Sequence, residues 1–225
     1  MQKSIKMISF DGPDALGKST QLNLLKAKLG NKSIHNTRLL GGDGTDDFQL
    51  ALRKVLLHSK FPKNSVELEE QMFALTDLEG IKAARNFLDT SINGVVLKDR
   101  AIFSHVAYAA AKNMSIKKIF ECHSEVIRQE LEINHKYGAL NIIFKPDSTD
   151  WLFTRLAKRA KEQGVEIVER LENRATQEAV VSMTDILPNL VELQGLTFEV
   201  INVKESDSIQ TVHDKVLAVL ENYKI

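Results

Sequence analysis

The sequence predicts an α/β domain: a mainly parallel, five-stranded sheet with helices on both faces. Three observations predict it. Short apolar runs alternate along the chain with longer stretches of helical periodicity, the order of an α/β fold. The runs are rich in β-branched residues, as expected of strands covered on both sides. The first of them ends in a glycine-rich turn that opens directly into a helix.

Taken in order, residues 5–10 read as the first strand, ending at Asp11-Gly12. Leu22, Leu25 and Leu29 recur at helical spacing over 18–29. Residues 34–40 form a weaker second strand, closed by Gly41-Gly42-Asp43-Gly44. Helices are predicted over 47–57 and 65–88, the second with Ser65 as N-cap and Pro62 just before it. Residues 95–97 are a buried-type strand leading to Asp99-Arg100, followed by helices over 102–112 and 115–136. A strand at 140–144 closes at Lys145-Pro146. Residues 150–163 are helical, 164–169 are a break, and 170–193 are helical with a bend near Pro188. The last strand covers 198–203 and the last helix 208–223. No repeat or low-complexity segment interrupts the pattern, so residues 1–225 read as one domain.

A chain of 225 residues is long enough to bury a full core. Its 30 basic and 30 acidic residues cancel. That balance argues against a broad nucleic-acid surface, which carries a basic excess, and against an acidic solvating tail. The single cysteine, Cys122, makes no internal disulfide, and nothing else asks for an oxidising compartment. No apolar run approaches the ~18 residues of a membrane span, and the polar start does not resemble a signal peptide. The expectation is a cytoplasmic protein without a membrane partner. The six histidines show no metal-ligand spacing, so none is assigned a catalytic role.

The strongest motif is Gly12-Pro13-Asp14-Ala15-Leu16-Gly17-Lys18-Ser19, a complete G-x-x-x-x-G-K-[ST] between a strand and a helix. Glycines let successive backbone N–H groups turn around phosphate oxygens, and the positive end of the helix points at the same anion. Lys18 is placed to reach the outer phosphates of a nucleoside triphosphate, and the Ser19 hydroxyl to ligate Mg²⁺. The motif specifies a nucleoside triphosphate, not what becomes of it.

Four segments narrow the choice. Phe10 to Thr20 is similar to the F-E-G-x-D-x-x-G-K-[ST]-T of thymidylate kinases. Thr37-Arg38-Leu39-Leu40-Gly41-Gly42 resembles their T-R-E-P-G-G. Asp99-Arg100, with Ser104 and Ala107-Tyr108, resembles their D-R-Y-x-x-S-x-x-A-Y. Glu169-Arg170-Leu171-Glu172 is similar to the D-R-[IL]-E after their mobile lid. Order and approximate spacing agree from residue 5 to about residue 204.

This resemblance to a family of P-loop nucleoside monophosphate kinases implies a P-loop NTPase three-layer sandwich with a lid over about 155–172. It also implies a homodimer and ATP- and Mg²⁺-dependent phosphorylation of a deoxynucleoside monophosphate, dTMP first, for dTTP synthesis. Matched residue by residue, Arg38 and Arg100 hold the acceptor phosphate. Guanidinium forks suit that task, because two anionic phosphates must approach each other. Asp14 accepts from the sugar 3′-hydroxyl, Phe73 stacks on the base, and Tyr108 lies near the sugar 2′-position. Asp99 organises Mg²⁺ through water. The loop has no arginine among Pro13, Asp14, Ala15 and Leu16, and so resembles the family members that supply their transition-state arginine from the lid. Arg155 and Arg159 match lid arginines and share a helix face, with Arg159 the preferred catalytic partner. Lys18, Arg100, Arg159, Arg155 and Asp99 form the expected catalytic set.

Each assignment has a plainer alternative. Out of context, Arg38 and Arg100 are ordinary surface arginines. Phe73 and Tyr108 are equally core aromatics of amphipathic helices. Arg155, Lys158, Arg159 and Lys161 also read as a solvated basic face.

The family pattern also breaks in places. Ala101 replaces the tyrosine of D-R-Y, and Leu39-Leu40 replaces E-P. Four residues after Phe73 the family has an arginine that donates to the thymine carbonyl; here it is Asp77. After Tyr108, Ala109 replaces a polar residue that reads the base. A carboxylate accepts where an arginine donates, which disfavours thymine. Either another residue reads the base, or the acceptor is a different or modified deoxynucleotide, a nucleoside, or a base within DNA. A decayed ATP-binding relative is the third possibility.

The zero net charge is a sum of zones. Residues 1–40 and 81–120 each carry seven basic against two acidic side chains, whereas 176–225 carry three against eight. The basic zones hold Lys18, Arg38 and Arg100, which suits a small anionic ligand held locally.

Overall fold

The computed structural model describes residues 4–30, 32–38, 41–42, 47, 51–52, 55–56, 65–162 and 173–225. The first strand, β1 (Met7–Asp11), runs into the glycine-rich loop and α1 (Lys18–Leu29). Then come β2 (Ser33–Arg38), a two-residue β3 (Gly41–Gly42) and the long α2 (Val66–Thr90). β4 (Gly94–Asp99), α3 (Ile102–Ala111), α4 (Ile116–Tyr137) and β5 (Ala139–Pro146) follow. The chain finishes with α5 (Thr149–Glu162), α6 (Arg174–Met183), two 3₁₀ turns, β6 (Phe198–Val203) and α7 (Ile209–Leu220).

All these strands form one sheet in the order β3-β2-β4-β1-β5-β6. β1 lies between β4 and β5 and is parallel to both, with Ile8 opposite Leu97 on one side and Leu140 on the other. β2 and β6 extend the parallel core. The expected five parallel strands are present, and β3 adds a short antiparallel edge through Thr37–Gly42 and Arg38–Gly41.

Successive residues of the central strands feed two different cores, which is why their runs are apolar throughout. Met7, Val96 and Ile143 face the layer of α2, α3, α4 and α6. Ile8, Phe10, Val95, Leu97, Ile142 and Phe144 face α1, α5 and α7, meeting Leu25, Leu152 and Val216. The strand order reverses about β1, so the crevice beyond the ends of β1 and β4 is the switch point where such sheets bind ligands.

Some expectations shift. The helix predicted to run to 193 ends at Met183, and the chain continues through 3₁₀ turns at Leu187–Asn189 and Val191–Leu193. Pro188 near the start of the first turn has no N–H to continue an α-helix, and bonds such as Ile186 N to Met183 O tighten the path. Residues 47, 51, 52, 55 and 56 are helical, and Leu56 packs on Phe73; the rest of the 47–57 prediction lies outside the described residues. So do Leu39-Leu40, the break at 164–169 and the motif at 169–172.

Candidate active site

The site begins where β1 ends. Gly12 has φ +114°, and a Cβ there would meet the Phe144 carbonyl oxygen at 2.3 Å. Glycine is therefore required for the loop to turn beneath β5. Ala15 and Gly17 also take positive φ, 62° and 80°, so the chain coils tightly before α1. Leu16 anchors this coil in the core, and Thr20 faces outward on α1.

Lys18 is buried, and its Nζ donates to the Pro13 carbonyl at 2.5 Å. Burial, with Arg100 adding repulsion, lowers its pKa from 10.5 to about 8, against the opposing pull of Asp14, Asp99 and Asp11. Beside it, the Ser19 hydroxyl donates to Asp99 at 3.0 Å, and Arg38 Nε stands 3.9 Å from the same carboxylate. Arg38 is half exposed, so that contact contributes little by itself.

Arg100 follows β4 in the left-handed region, φ +73°. A non-glycine residue held there is strained, and such strain concentrates at functional sites. Its guanidinium donates to the Gly12 carbonyl and Ser104 Oγ, both at 3.2 Å, and pairs with Asp14. Tyr108 donates to Asp14 at 2.7 Å, and Arg100 lies over its ring at 5.3 Å. Burial opposes the charge on Asp14, but Arg100, Lys18, the Tyr108 hydroxyl and Arg159 outweigh it and hold the carboxyl at about 2. Burial and the neighbouring Asp14 carboxylate push the Tyr108 phenol above its ordinary range, despite the opposing charge of Arg100.

Two members of this cluster were not singled out from sequence. Gln177, at the start of α6, accepts from the Asp14 backbone N–H at 3.0 Å and donates to Tyr108 Oη at 3.2 Å. It joins α6 to the phosphate loop. Asp11 is buried and accepts from the Ala101 and Ser104 N–H groups at 3.1 and 3.2 Å and from Ser104 Oγ at 2.5 Å. It caps α3 from another strand, a task that Ala101, at the N-cap position, has no side chain to perform.

Arg155 and Arg159, the two expected lid arginines, part company. Arg155 stacks on Trp151 at 4.5 Å and donates to the Glu205 carbonyl at 3.2 Å, beside the turn after β6. Arg159 is the one whose charge acts on Asp14.

On α2, Phe73 is buried with Leu56, with Lys112 Nζ 5.3 Å above its ring and His105 6.4 Å away edge-on. Asp77 is 2% exposed, and both its oxygens are engaged: Lys98 at 2.9 Å and His105 Nε2 at 3.0 Å. Burial opposes its charge, but Lys98 and His105 keep its carboxyl well below the usual range. Repulsion of a thymine carbonyl by Asp77 requires a free carboxylate. Here that charge is spent on Lys98, which also binds Glu130 at 2.7 Å.

No family model matches the chain. Among curated proteins, the thymidylate kinase of Campylobacter lari is 25% identical over 219 residues, covering 93% of this chain and 96% of that protein. That of Campylobacter hominis is 28% identical over 176 residues, covering 76% and 84%. Among solved structures, Ehrlichia chaffeensis thymidylate kinase matches at TM-score 0.59 and 21% identity, covering 97% of this chain and 99% of its own. A Candida albicans thymidylate kinase, described for its broad substrate specificity, matches at 0.65 and 18%, covering 97% and 92%. These structures share the fold. The motif order and the curated proteins, matched along nearly the whole sequence, make the chain similar to the thymidylate kinases.

Proposed function

We propose that the protein transfers the γ-phosphoryl group of ATP to dTMP, giving ADP and dTDP for dTTP synthesis. The observation that carries this reading is the convergence of Lys18, Arg100, Asp14, Ser19 and Asp99 beyond β1 and β4. The loop fits a phosphate chain: glycine lies where no Cβ has room, and a buried ammonium stands beside the helix N-terminus. Ser19, and Asp99 through water, would hold Mg²⁺, which when bound neutralises charge on the transferring phosphates.

The remaining work falls to the chain's own side chains. Arg38 and Arg100 orient the acceptor phosphate. One of its oxygens bonds to the γ-phosphorus as the bond to the departing ADP oxygen breaks in line, without a covalent enzyme intermediate. Lys18 and Arg159 stabilise the charge that spreads over the transferring group. Asp14, fixed by Arg100 and Tyr108, receives the sugar 3′-hydroxyl, and Tyr108 restricts the space beside the 2′-position. Phe73 supports the base. Closure of a lid over about 155–172 excludes water that would otherwise hydrolyse ATP.

The same reading makes residues 1–225 one kinase domain and takes a homodimer as its assembly. Leu68 and Leu75 lie seven residues apart on α2, 53% and 63% exposed, and offer an apolar face for it. No described helix is long and apolar enough to cross a membrane.

The test is a panel of deoxy- and ribonucleoside monophosphates assayed with Mg·ATP. The expected result is dTMP as the preferred acceptor, with little transfer to the ribonucleotide analogue. Transfer to none of the deoxynucleoside monophosphates would overturn the proposal.

A further inference from the structure

We propose that Glu70, His105 and His123 form a buried divalent-metal site, matched in chemistry to Zn²⁺, between α2, α3 and α4. One ligand atom from each residue lies within 4.8 Å of the other two, and all three residues are buried. Two imidazoles and a carboxylate are a zinc donor set that leaves a coordination position open. Zinc–ligand bonds near 2.0–2.1 Å put donors about 3.4 Å apart in a tetrahedral site, so side-chain rotations of about 1 Å complete it.

Three further observations point to an ion. First, His105 carries the outer partner that metal-bound histidines usually have: its Nε2 meets Asp77 at 3.0 Å, and Asp77 is held in turn by Lys98. With Nε2 donating to Asp77, the lone pair of His105 is on Nδ1. Second, His123 is wholly buried and turns its Nε2 to Glu70 at 3.2 Å, so a ring nitrogen and a carboxylate oxygen already face each other where the ion would sit. The two rings lie 4.4 Å apart, centre to centre. Third, the surrounding charge is unbalanced. Glu69, Glu70, Asp77 and Glu130 face two ammonium groups, Lys98 and Lys112. Even with Glu130 protonated, as its burial favours, three carboxylates face two cations. A divalent ion supplies the missing positive charge.

The donors sit on three helices, at positions 70, 105 and 123, so a bound ion would pin α2 and α4 to α3. It lies apart from the Mg²⁺ position at Ser19 and Asp99, and its presence does not depend on which acceptor the enzyme uses.

The experiment uses untagged full-length protein, stripped with chelator, incubated with ZnCl₂ or CoCl₂ and passed through gel filtration. The expected result is about one retained Zn²⁺ per chain by elemental analysis and visible cobalt bands of low coordination number. Zn²⁺ should raise the melting temperature of the wild type. His123→Gln and Glu70→Gln should retain no metal and lose that response, while Cys122→Ser keeps both. Wild-type protein that retains neither ion, or His123→Gln that binds metal equally, overturns the site. Should the variants fail to fold, the wild-type metal content and cobalt spectrum decide the question alone.

Discussion

Replacing Lys18 by methionine should stabilise the ligand-free protein while it destroys activity. The ammonium is buried, and its pKa falls from 10.5 to about 8. Burial is the main cause, with the positive charge of Arg100 second. The sign follows from linkage: the unfolded chain binds this proton more tightly than the folded one. The charged form therefore costs stability below about pH 8, and the cost fades as pH rises from 8 towards 10.5. At pH 7 the cost is roughly 3 kcal/mol. Methionine removes it and fills similar volume, but forfeits the bond to the Pro13 carbonyl, worth about 1 kcal/mol as a neutral hydrogen bond. The net gain is about 2 kcal/mol, or roughly 4–8 °C in melting temperature for a chain of this size. Calorimetry without nucleotide, at pH 7 and again at pH 10, measures it. The wild type should close most of the gap at pH 10. With ATP the order should change, because only the wild type places a cation against the phosphates. Turnover should fall by about 10³-fold or more. A variant less stable than wild type at pH 7, or one retaining turnover, would refute the reasoning.

Other predictions follow from the same geometry. Asp11→Asn should cost about 2–3 kcal/mol in urea unfolding, since the amide loses the charge that strengthens the three bonds to Oδ1 and turns an NH₂ towards the Ala101 N–H that Oδ2 also accepts. It should also lower kcat by loosening the backbone beside Arg100. Asp14 contributes stability above pH 3.8 that is lost as pH falls through about 2, roughly 2 kcal/mol in all; Asp14→Asn should flatten that part of the acid-unfolding profile. Arg159→Ala should reduce kcat by about 10³-fold, as loss of a transition-state arginine does. Arg155→Ala, which removes a stack on Trp151, should change it by less than about tenfold. Comparable losses for the two would show that the lid roles are misassigned.

Much of the fold was legible because local pattern and burial agree. The helix at 18–29 and the strand at 198–203 match their predicted bounds, and the glycine-rich loop announces itself by a contiguous motif. What was not legible depends on contacts between distant segments. Asp11 reads as one residue of the loop motif; that it caps α3 follows only when β1 and β4 pair and bring residues 11 and 101 together. Asp77 reads as a free carboxylate because Lys98, inside an otherwise apolar strand, gives no sign that it points at α2. Gln177 has no signature at all, being one polar residue near the start of a helix that opens at Arg174. The histidines at 105 and 123 have no metal-ligand spacing with Glu70 because three separate helices deliver the donors. The periodicity makes Pro188 a bend within one long helix, whereas the helix stops five residues earlier at Met183. The turn bonds that follow could not be weighed from propensity alone.

The central claim is that this site moves a phosphoryl group from ATP to dTMP. Its most direct measurement is ³¹P NMR of purified protein with Mg·ATP and dTMP. The account predicts matched growth of ADP and dTDP signals, abolished in Lys18→Met and absent when dTMP is omitted. ATP binding without any dTDP, or ADP formed equally with and without dTMP, would contradict it.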